Sequence, residues 1–373
     1  MTPLIKEGIL EVTDKGYGFL RDPERNFDID AGDVYVSTRF IAEYYLREGC
    51  RLRGEVGAAR QPGQNAPLVK LLDVNGLAPE EFKDVVEFRE RVAIDPTERF
   101  RIETGPEDLI GRTIDMLCPI GMGQRGLIVA PPKAGKTTVL KHIAFAVRRN
   151  HPDVKAYGIL IDERPEEVTD FRRSSGCKVF YSSLDERPEK HMRIARLAFA
   201  TTIVEAEVGH DVIVLIDSLT RMARAFNLRA GNRGKTLSGG MDSQAMALPK
   251  RFFGAARNVR GKGSLSVLAT ILVDTGSRID EVIFQEFKGT GNMEVVLDRE
   301  MAEKRLFPAL SISQSGTRKE EKLLKDIQKV AYIRRKLSQH RDEEALQELF
   351  GAFHKTQGNR EFLDRIAVGS SAT

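Results

Sequence analysis

Several things are scarce in this chain. Tryptophan is absent from its 373 residues. Its three cysteines, Cys50, Cys118 and Cys177, are scattered with no metal-like spacing. That favours a reducing, cytoplasmic setting over a disulfide framework. No apolar run reaches the length that spans a bilayer, and the opening MTPLIKEG carries no signal-peptide core, so no membrane role is expected. An excess of one charge is also missing: 58 Lys and Arg face 54 Asp and Glu, a net charge of +4. This permits nucleic-acid binding without arguing for it, and local patches must decide. What remains is ordinary soluble-protein composition, 41% hydrophobic, on a chain long enough for two domains.

The most informative stretch is Leu127–Thr138, LIVAPPKAGKTT. Leu127 to Ala130 read as a buried strand, a Pro/Gly loop follows, and Val139–Val147 reads as a helix. Strand, loop and helix in that order form a phosphate cradle. Loop amides and the helix dipole attract phosphate, Lys136 neutralises the β/γ-phosphates, and Thr137 offers a hydroxyl to Mg²⁺. Ala130 stands where the usual pattern opens with Gly.

Residues 4–75 read as a separate small β domain. GILEV, GYGFL, DVYVS, CRLRGEV and LVKLLDV are short β-branched and aromatic runs divided by turn residues. Five such strands predict a closed barrel of the OB or cold-shock type. Tyr17 and Phe19 alternate, so both rings share a face, with Tyr35 on a following strand and Lys15 and Arg21 nearby. Aromatics among basic residues on such a face form a stacking platform for single-stranded bases. Residues 76–110 read as a charged linker packing on the second domain, and 111–373 as that domain.

From Pro119 strands and helices alternate. YGILID, CKVFYSS, DVIVLIDS and LSVLATILVD are apolar enough for a parallel sheet covered on both faces, an α/β nucleotide-binding core. Its ligand belongs at the carboxyl ends of the strands. There Asp217 is placed to associate with Mg²⁺, and Glu163 to deprotonate the attacking water. Arg221 links the sheet edge to a catalytic neighbour. Two Gly-rich loops, 232–242 and 286–294 with Lys288, read either as contacts to a phosphodiester chain or as flexible loops. Arg318 reads either as an arginine finger for a neighbouring subunit or as the solvated start of an amphipathic helix.

GYGFLR, GQRGLIVAPPKAGKT, LIDERPEEVTDF, DSLTRMARAFN, KTLSGGMD, PKRFFGAARN, DTGSRIDEVIFQEFKGTGNME and FPAL…SGTRKEE together closely resemble the bacterial transcription termination factor Rho family. The resemblance runs from about residue 7 to past 330, and the family's own phosphate loop also carries the Ala at position 130. It implies a RecA-like P-loop ATPase core preceded by an OB/cold-shock-like barrel, assembled as a ring homohexamer. Such a ring loads on single-stranded, C-rich nascent RNA, moves 5′ to 3′ on ATP hydrolysis with Mg²⁺, and dissociates the RNA polymerase elongation complex. The resemblance further implies residue roles. Tyr17, Phe19, Arg21 and Tyr35 meet RNA, and Glu103 reads cytosine, followed by Thr104 where the family commonly has Arg. Lys235, Thr236, Leu237, Ser238, Gly239 and Gly240 form one channel loop; Lys288, Gly289, Thr290 and Gly291 form the other. Nucleotide contacts fall to Gly121, Met122, Gly123, Gln124, Arg125, Gly126, Lys133, Ala134, Gly135, Lys136, Thr137, Thr138 and Arg164, with Phe307 against adenine. Glu163 is the catalytic glutamate, Asp217 the metal-associated acid, Arg221 a catalytic arginine and Arg318 the finger in trans. The family usually places a small helical domain ahead of the barrel. This chain starts almost at the barrel, which implies weaker RNA loading.

Two other readings compete. One is a RecA/ATP-synthase-type ATPase whose barrel is a structural collar. The other is a single-strand-binding module in which nucleotide sets conformation only.

Overall fold

The computed structural model describes residues 3–59, 61, 63–230 and 240–366. The five barrel strands fall where the sequence places them: β1 Leu4–Val12, β2 Gly18–Arg21, β3 Val34–Val36, and, after helix α1 Thr38–Glu43, β4 Arg51–Val56 and β5 Leu68–Val74. They pair antiparallel in the order β3-β2-β1-β4-β5. A bridge between Tyr35 and Pro67 closes the barrel. Alternation does the rest: Leu10, Leu20, Val34, Leu52, Leu68, Leu71 and Val74 turn inward, whereas Phe19 and Tyr35 turn outward.

The stretch after the barrel is more than a linker. It holds α2 Pro79–Lys83, β6 Ala93–Ile94 and β7 Arg99–Phe100. Phe82 buries in the barrel core and Phe88 in the core of the second domain, so two rings six residues apart tie the segment to both domains. Its charged residues remain outside, as a solvated face.

The second domain continues with α3 Leu109–Leu117, β8 Ile120–Gly121, β9 Arg125–Ala130, α4 Lys136–Asn150, β10 Lys155–Glu163, α5 Pro165–Ser174, β11 Lys178–Ser183 and α6 Pro188–Glu207. Then come β12 Asp211–Asp217, α7 Leu219–Ala230, α8 Ser243–Gly254, β13 Arg257–Val259, β14 Ser264–Leu272, α9 Arg278–Lys288, β15 Met293–Val296, α10 Arg299–Glu303 and β16 Gly316–Thr317. Helices α11 Ile327–Leu337, α12 Asp342–Phe353 and α13 Asn359–Asp364 finish it. The sheet order is β11-β10-β12-β14-β9-β15-β16, parallel except for the last strand. Successive side chains feed two cores. Ile128, Leu160, Ile213 and Leu215 pack under α3, α4 and α5, while Val129, Ile159, Ile161 and Val214 pack under α6, α7 and α8. Burial on both faces is why these strands lack polar alternation.

The barrel is not free-standing. Ile9 and Phe27 join the core beneath α6, and Val204 of α6 joins the barrel core. Gly49, at φ +92°, lies so close to α6 that a Cβ would come within 2.3 Å of the Ala200 carbonyl carbon.

Candidate functional site

Three strand ends converge on the loop after β9. Gly135 adopts φ +93° and Lys133 φ +67°, which turns the chain tightly into α4. Lys136 and Thr137 are the first two residues of that helix, with their amides at its positive end. Asp217 follows Leu215 on the α4 side of β12. Glu163 reaches the same side by a different route. The β10–β11 register shifts between Ile161 and Glu163, with Asp162 at φ +61°. Without that extra residue Glu163 would follow Ile159 and Ile161 to the α6 side; the bulge re-aims it.

The groups interlock. Lys136 Nζ bonds to Asp217 and lies 3.8 Å from Glu163. Thr137 Oγ1 donates to Asp217 Oδ2 at 2.8 Å, and Thr270 Oγ1 to Oδ1 at 2.6 Å. Arg221 Nη1 donates to the Asp162 carbonyl at 3.0 Å, and its Nε lies 3.0 Å from Glu163 Oε1. Glu163 is 1% exposed, yet neither of its oxygens makes an aligned hydrogen bond among the described residues. Burial, then the Asp217 charge, pushes its pKa up to about 8 against the pull of Lys136 and Arg221. Burial also works against the charge on Lys136, but Asp217 and Glu163 outweigh it and hold its pKa above the ordinary value.

This is a phosphate cradle with a buried carboxylate aimed at it. The described residues contain no group of three or more His, Cys, Asp or Glu able to hold a metal by themselves. A hydroxyl beside a carboxylate, Thr137 with Asp217, fits a hard cation that keeps waters and phosphate oxygens as its other ligands. The Phe307 ring is 44% exposed and sits about a van der Waals contact, 3.9 Å, from where a Cβ on Gly135 would be, open to stack on a base. Ala134 is buried beneath the loop, while Thr138 and Arg164 are exposed beside it, Arg164 3.6 Å from Glu167.

The far end of the sheet corrects the reading of GMGQRG. Gly121, Met122, Gly123, Gln124, Arg125 and Gly126 lie before and at the start of β9, whose first residue, Arg125, is about 16 Å along the strand from Ala130 at roughly 3.3 Å per residue. They cannot line the phosphate cradle of their own chain. Gln124 is buried and donates to Asn292, Arg125 donates to the carbonyls of Thr290 and Ala256, and Gly123 packs on the Asn258 backbone. Arg318 stands exposed at this same end, its amide bonded to the Asn292 carbonyl. Only a single 3-10 turn, Glu320–Lys322, begins there, rather than an amphipathic α-helix. Lys319 turns the chain at φ +58°, Lys319 and Lys322 bind Asp95, and α11 starts only at Ile327. Lys288 is exposed as the last residue of α9, over the Phe284 ring, rather than within the loop; Gly289, Thr290 and Gly291 lead into β15. In the other proposed channel loop, Gly240 is exposed, and Lys235, Thr236, Leu237, Ser238 and Gly239 lie outside the described residues.

On the barrel, Tyr17, Phe19 and Tyr35 form one half-exposed cluster, with ring centroids 5.6–6.1 Å apart. Arg21 has a different place from the one expected. It is buried, bonded to Glu11 and Asp33, and its guanidinium lies 4.9 Å from the Phe19 centroid. An arginine with two carboxylate partners supports the ring from behind rather than offering a free cation. Glu103 is also elsewhere. It accepts from the Asn359 amide at 2.9 Å and lies 3.9 Å from Arg112, against the C-terminal helices. Asn65 instead comes from the β4–β5 connection to the β3 side, bonding the Asp33 carbonyl at 2.8 Å.

Two residues escaped the sequence reading. Thr270 holds Asp217; its signal is a lone hydroxyl in the apolar run LSVLATILVD, one position beyond the Ala269–Ile216 register pair. Asp162 supplies the bulge, and an acid before Glu163 carries no mark of a left-handed backbone.

Comparison with known proteins agrees with both halves. Residues 6–80 match the Rho termination factor RNA-binding domain, and residues 111–317 the nucleotide-binding domain of the ATP synthase alpha/beta family. Transcription termination factor Rho of Chromobacterium violaceum is 46% identical over 365 residues, covering 96% of this chain and 87% of that protein. That of Thermotoga maritima is 46% identical over 362 residues, covering 96% and 85%. Among solved structures, a prototypical ATPase from a bacterial type III secretion system superposes with a TM-score of 0.58 at 21% identity, over 68% of this chain and 81% of that one. The ATP synthase subunit NeqB of Nanoarcheaum equitans gives 0.57 at 17%, over 72% and 73%. At that identity the structures speak for the fold alone. Identity near one half over almost the whole chain, with a matching RNA-binding domain, shows that this chain belongs to the transcription termination factor Rho family.

Proposed function

We propose that this protein is an RNA-stimulated ATPase that binds nascent single-stranded RNA, moves along it 5′ to 3′, and terminates transcription by acting on the RNA polymerase elongation complex. One observation carries the reading: a buried carboxylate without aligned partners, Glu163, faces a phosphate cradle in a domain to which an aromatic-faced barrel is fixed. A purely structural collar gives no reason for three half-exposed rings on the barrel's outer face.

The chain's own residues supply these steps. The loop amides and Lys136 hold the β/γ-phosphates of ATP, and Phe307 stacks on adenine. Glu163 accepts a proton from the water that attacks the γ-phosphate, and Arg221 keeps the carboxylate aimed. Thr137 and Asp217 are the oxygen donors that would hold Mg²⁺, which when bound neutralises charge on the phosphate oxygens. Arg318 lies a strand's length from its own cradle, so its finger role needs a second copy, in keeping with a homohexameric ring. Tyr17, Phe19 and Tyr35 stack bases of C-rich RNA, and the loops around Gly240 and Lys288 contact the phosphodiester chain within the ring. The setting is cytoplasmic; no helix among the described residues is long and apolar enough to cross a membrane.

The test is ATP hydrolysis by the purified protein with Mg²⁺, with and without poly(C) RNA and poly(C) DNA. Strong stimulation by the RNA alone is expected. Fast turnover indifferent to RNA would overturn the motor and leave an ATPase with a collar. ATP binding without turnover in any tube would leave a binding module.

A further inference from the structure

We propose that Arg193, together with Asn26, is the joint through which RNA on the Tyr17–Phe19–Tyr35 face acts on the backbone turn that aims Glu163. The inference rests on the function proposed above, with the barrel as the RNA face and Glu163 as the base.

Side-chain contacts run from the aromatic face to Arg193, and the backbone of α6 carries the step from Arg193 to His191. Arg21 lies behind the Phe19 ring and donates from Nε to Glu11 Oε2 at 2.6 Å. Glu11, on β1, is 6% exposed. Arg193, on α6 of the other domain, clamps the same carboxylate from the opposite side. Its Nε donates to Oε1 at 2.6 Å, and its Nη2 to Oε2 at 2.7 Å and to the Phe27 carbonyl at 2.8 Å. Burial works against the charge on Glu11, but Arg193 and Arg21 outweigh it and hold its pKa below the ordinary value. Two residues earlier on α6, buried His191 shares a hydrogen bond with Ser182 Oγ at 2.7 Å and faces the Asp162 carboxylate at 4.0 Å. Asp162 is the bulge residue before Glu163.

The second contact grips the same turn from its other side. Asn26, on the β2–β3 loop, pairs with the main chain of Tyr181 on β11: Nδ2 to the carbonyl at 2.7 Å, and the Tyr181 amide to Oδ1 at 3.0 Å. Phe27 stacks on Phe180 beside it, centroids 4.4 Å apart. Tyr181 precedes Ser182, which holds His191, and Ser183, which is the register partner of Glu163. The Leu184 amide donates to the Glu163 carbonyl at 3.0 Å. The barrel therefore touches both elements that shape the 162–163 turn. The charge-paired contact of Arg193 with the buried Glu11 carboxylate, and the paired hydrogen bonds of Asn26 with the Tyr181 main chain, are suited to carry a displacement, where a mobile surface salt bridge would absorb it.

Arg193→Met removes the guanidinium while Glu11 keeps Arg21. In the full chain with Mg²⁺-ATP, RNA-free turnover and the poly(C) concentration giving half-stimulation should stay at the unmodified level. Maximal stimulated kcat should fall about tenfold, within the 5–150-fold range of ordinary coupling between sites. Arg193→Lys should restore part of it. Asn26→Gly, which tolerates φ +53°, should give the same pattern through an independent contact. Folded Arg193→Met, or Asn26→Gly if the former does not fold, with undiminished maximal stimulation would overturn the joint. Absence of RNA stimulation in the unmodified protein would overturn the underlying function, and the joint with it.

Discussion

At the carboxyl ends of β9, β10 and β12, charges are buried and mutually paired: Lys136 with Asp217 and Glu163, Arg221 with Glu163. The amino ends of β9 and β15 look different. There Arg125 and Arg257 spend their donors on backbone carbonyls, and exposed Arg318 has no acidic partner among the described residues. Burial first, then the neighbouring charges of Arg257 and Arg318, lowers the Arg125 pKa. One end pairs its charges within the chain; at the other, Lys319 and Lys322 meet Asp95 while Arg318 stands exposed. Under the function proposed above, the two ends serve different copies of the chain. A cationic edge held a strand's length from its own cradle is placed to serve a neighbour's.

The largest effect that would break this comparison comes from Arg318→Ala, which should lower kcat by roughly 10³-fold or more while ATP binding persists. Mixing it with Glu163→Gln protein, itself inactive, should recover measurable turnover, because some junctions then pair an intact Arg318 with an intact Glu163. No recovery on mixing would place both residues in one chain's site. Glu163→Gln alone should cost about 10²–10⁴ in kcat with ATP affinity retained, read by single-turnover hydrolysis and equilibrium binding. Gln124→Ala sharpens the other side. It removes one of the two donors to the half-buried Asn292 carboxamide oxygen, which keeps the Arg125 amide, and should cost about 0.5–1.5 kcal/mol of stability in denaturant unfolding, with no change in ATP affinity. A loss of ATP affinity there would return GMGQRG to the nucleotide site.

The smallest effect concerns pH. The folded-state pKa of Glu163 is raised, from 4.5 to about 8, so folding favours its neutral form. That contribution is present below the unfolded value and is lost as pH rises through about 8. Glu163→Gln keeps the side chain neutral throughout. Its thermal midpoint relative to the parent should therefore rise between pH 5 and pH 8. A constant difference across that range would mean that the carboxylate is not desolvated.

Much of the architecture was legible because it rests on local pattern. Apolar continuity marks Leu127–Ala130 and Val212–Ile216 as strands covered on both faces, and Tyr17 and Phe19 share a face because side chains alternate along an extended chain. The phosphate cradle was legible for the same reason, since Gly135, Lys136 and Thr137 are neighbours in sequence. Where the reading went astray, the deciding contact was distant in sequence. GMGQRG precedes the cradle by only a few residues, but a strand intervenes and carries it to the opposite end. Arg21 looks like a free cation until Glu11 and Asp33 close around it. Glu103 is drawn to Asn359, more than two hundred residues away.

The sequence by itself determined the two element types and their order, the barrel followed by an α/β core, because periodicity and short-range spacing specify strands, helices and the loop between them. Only the tertiary structure decided how the residues of the candidate site face one another. The bulge at Asp162 turns Glu163 toward Lys136, Thr270 comes from another strand to hold Asp217, and α6 joins the barrel to the catalytic domain through Arg193. Each of these depends on register, chain reversal or packing between segments far apart in sequence, and no local pattern encodes such distances.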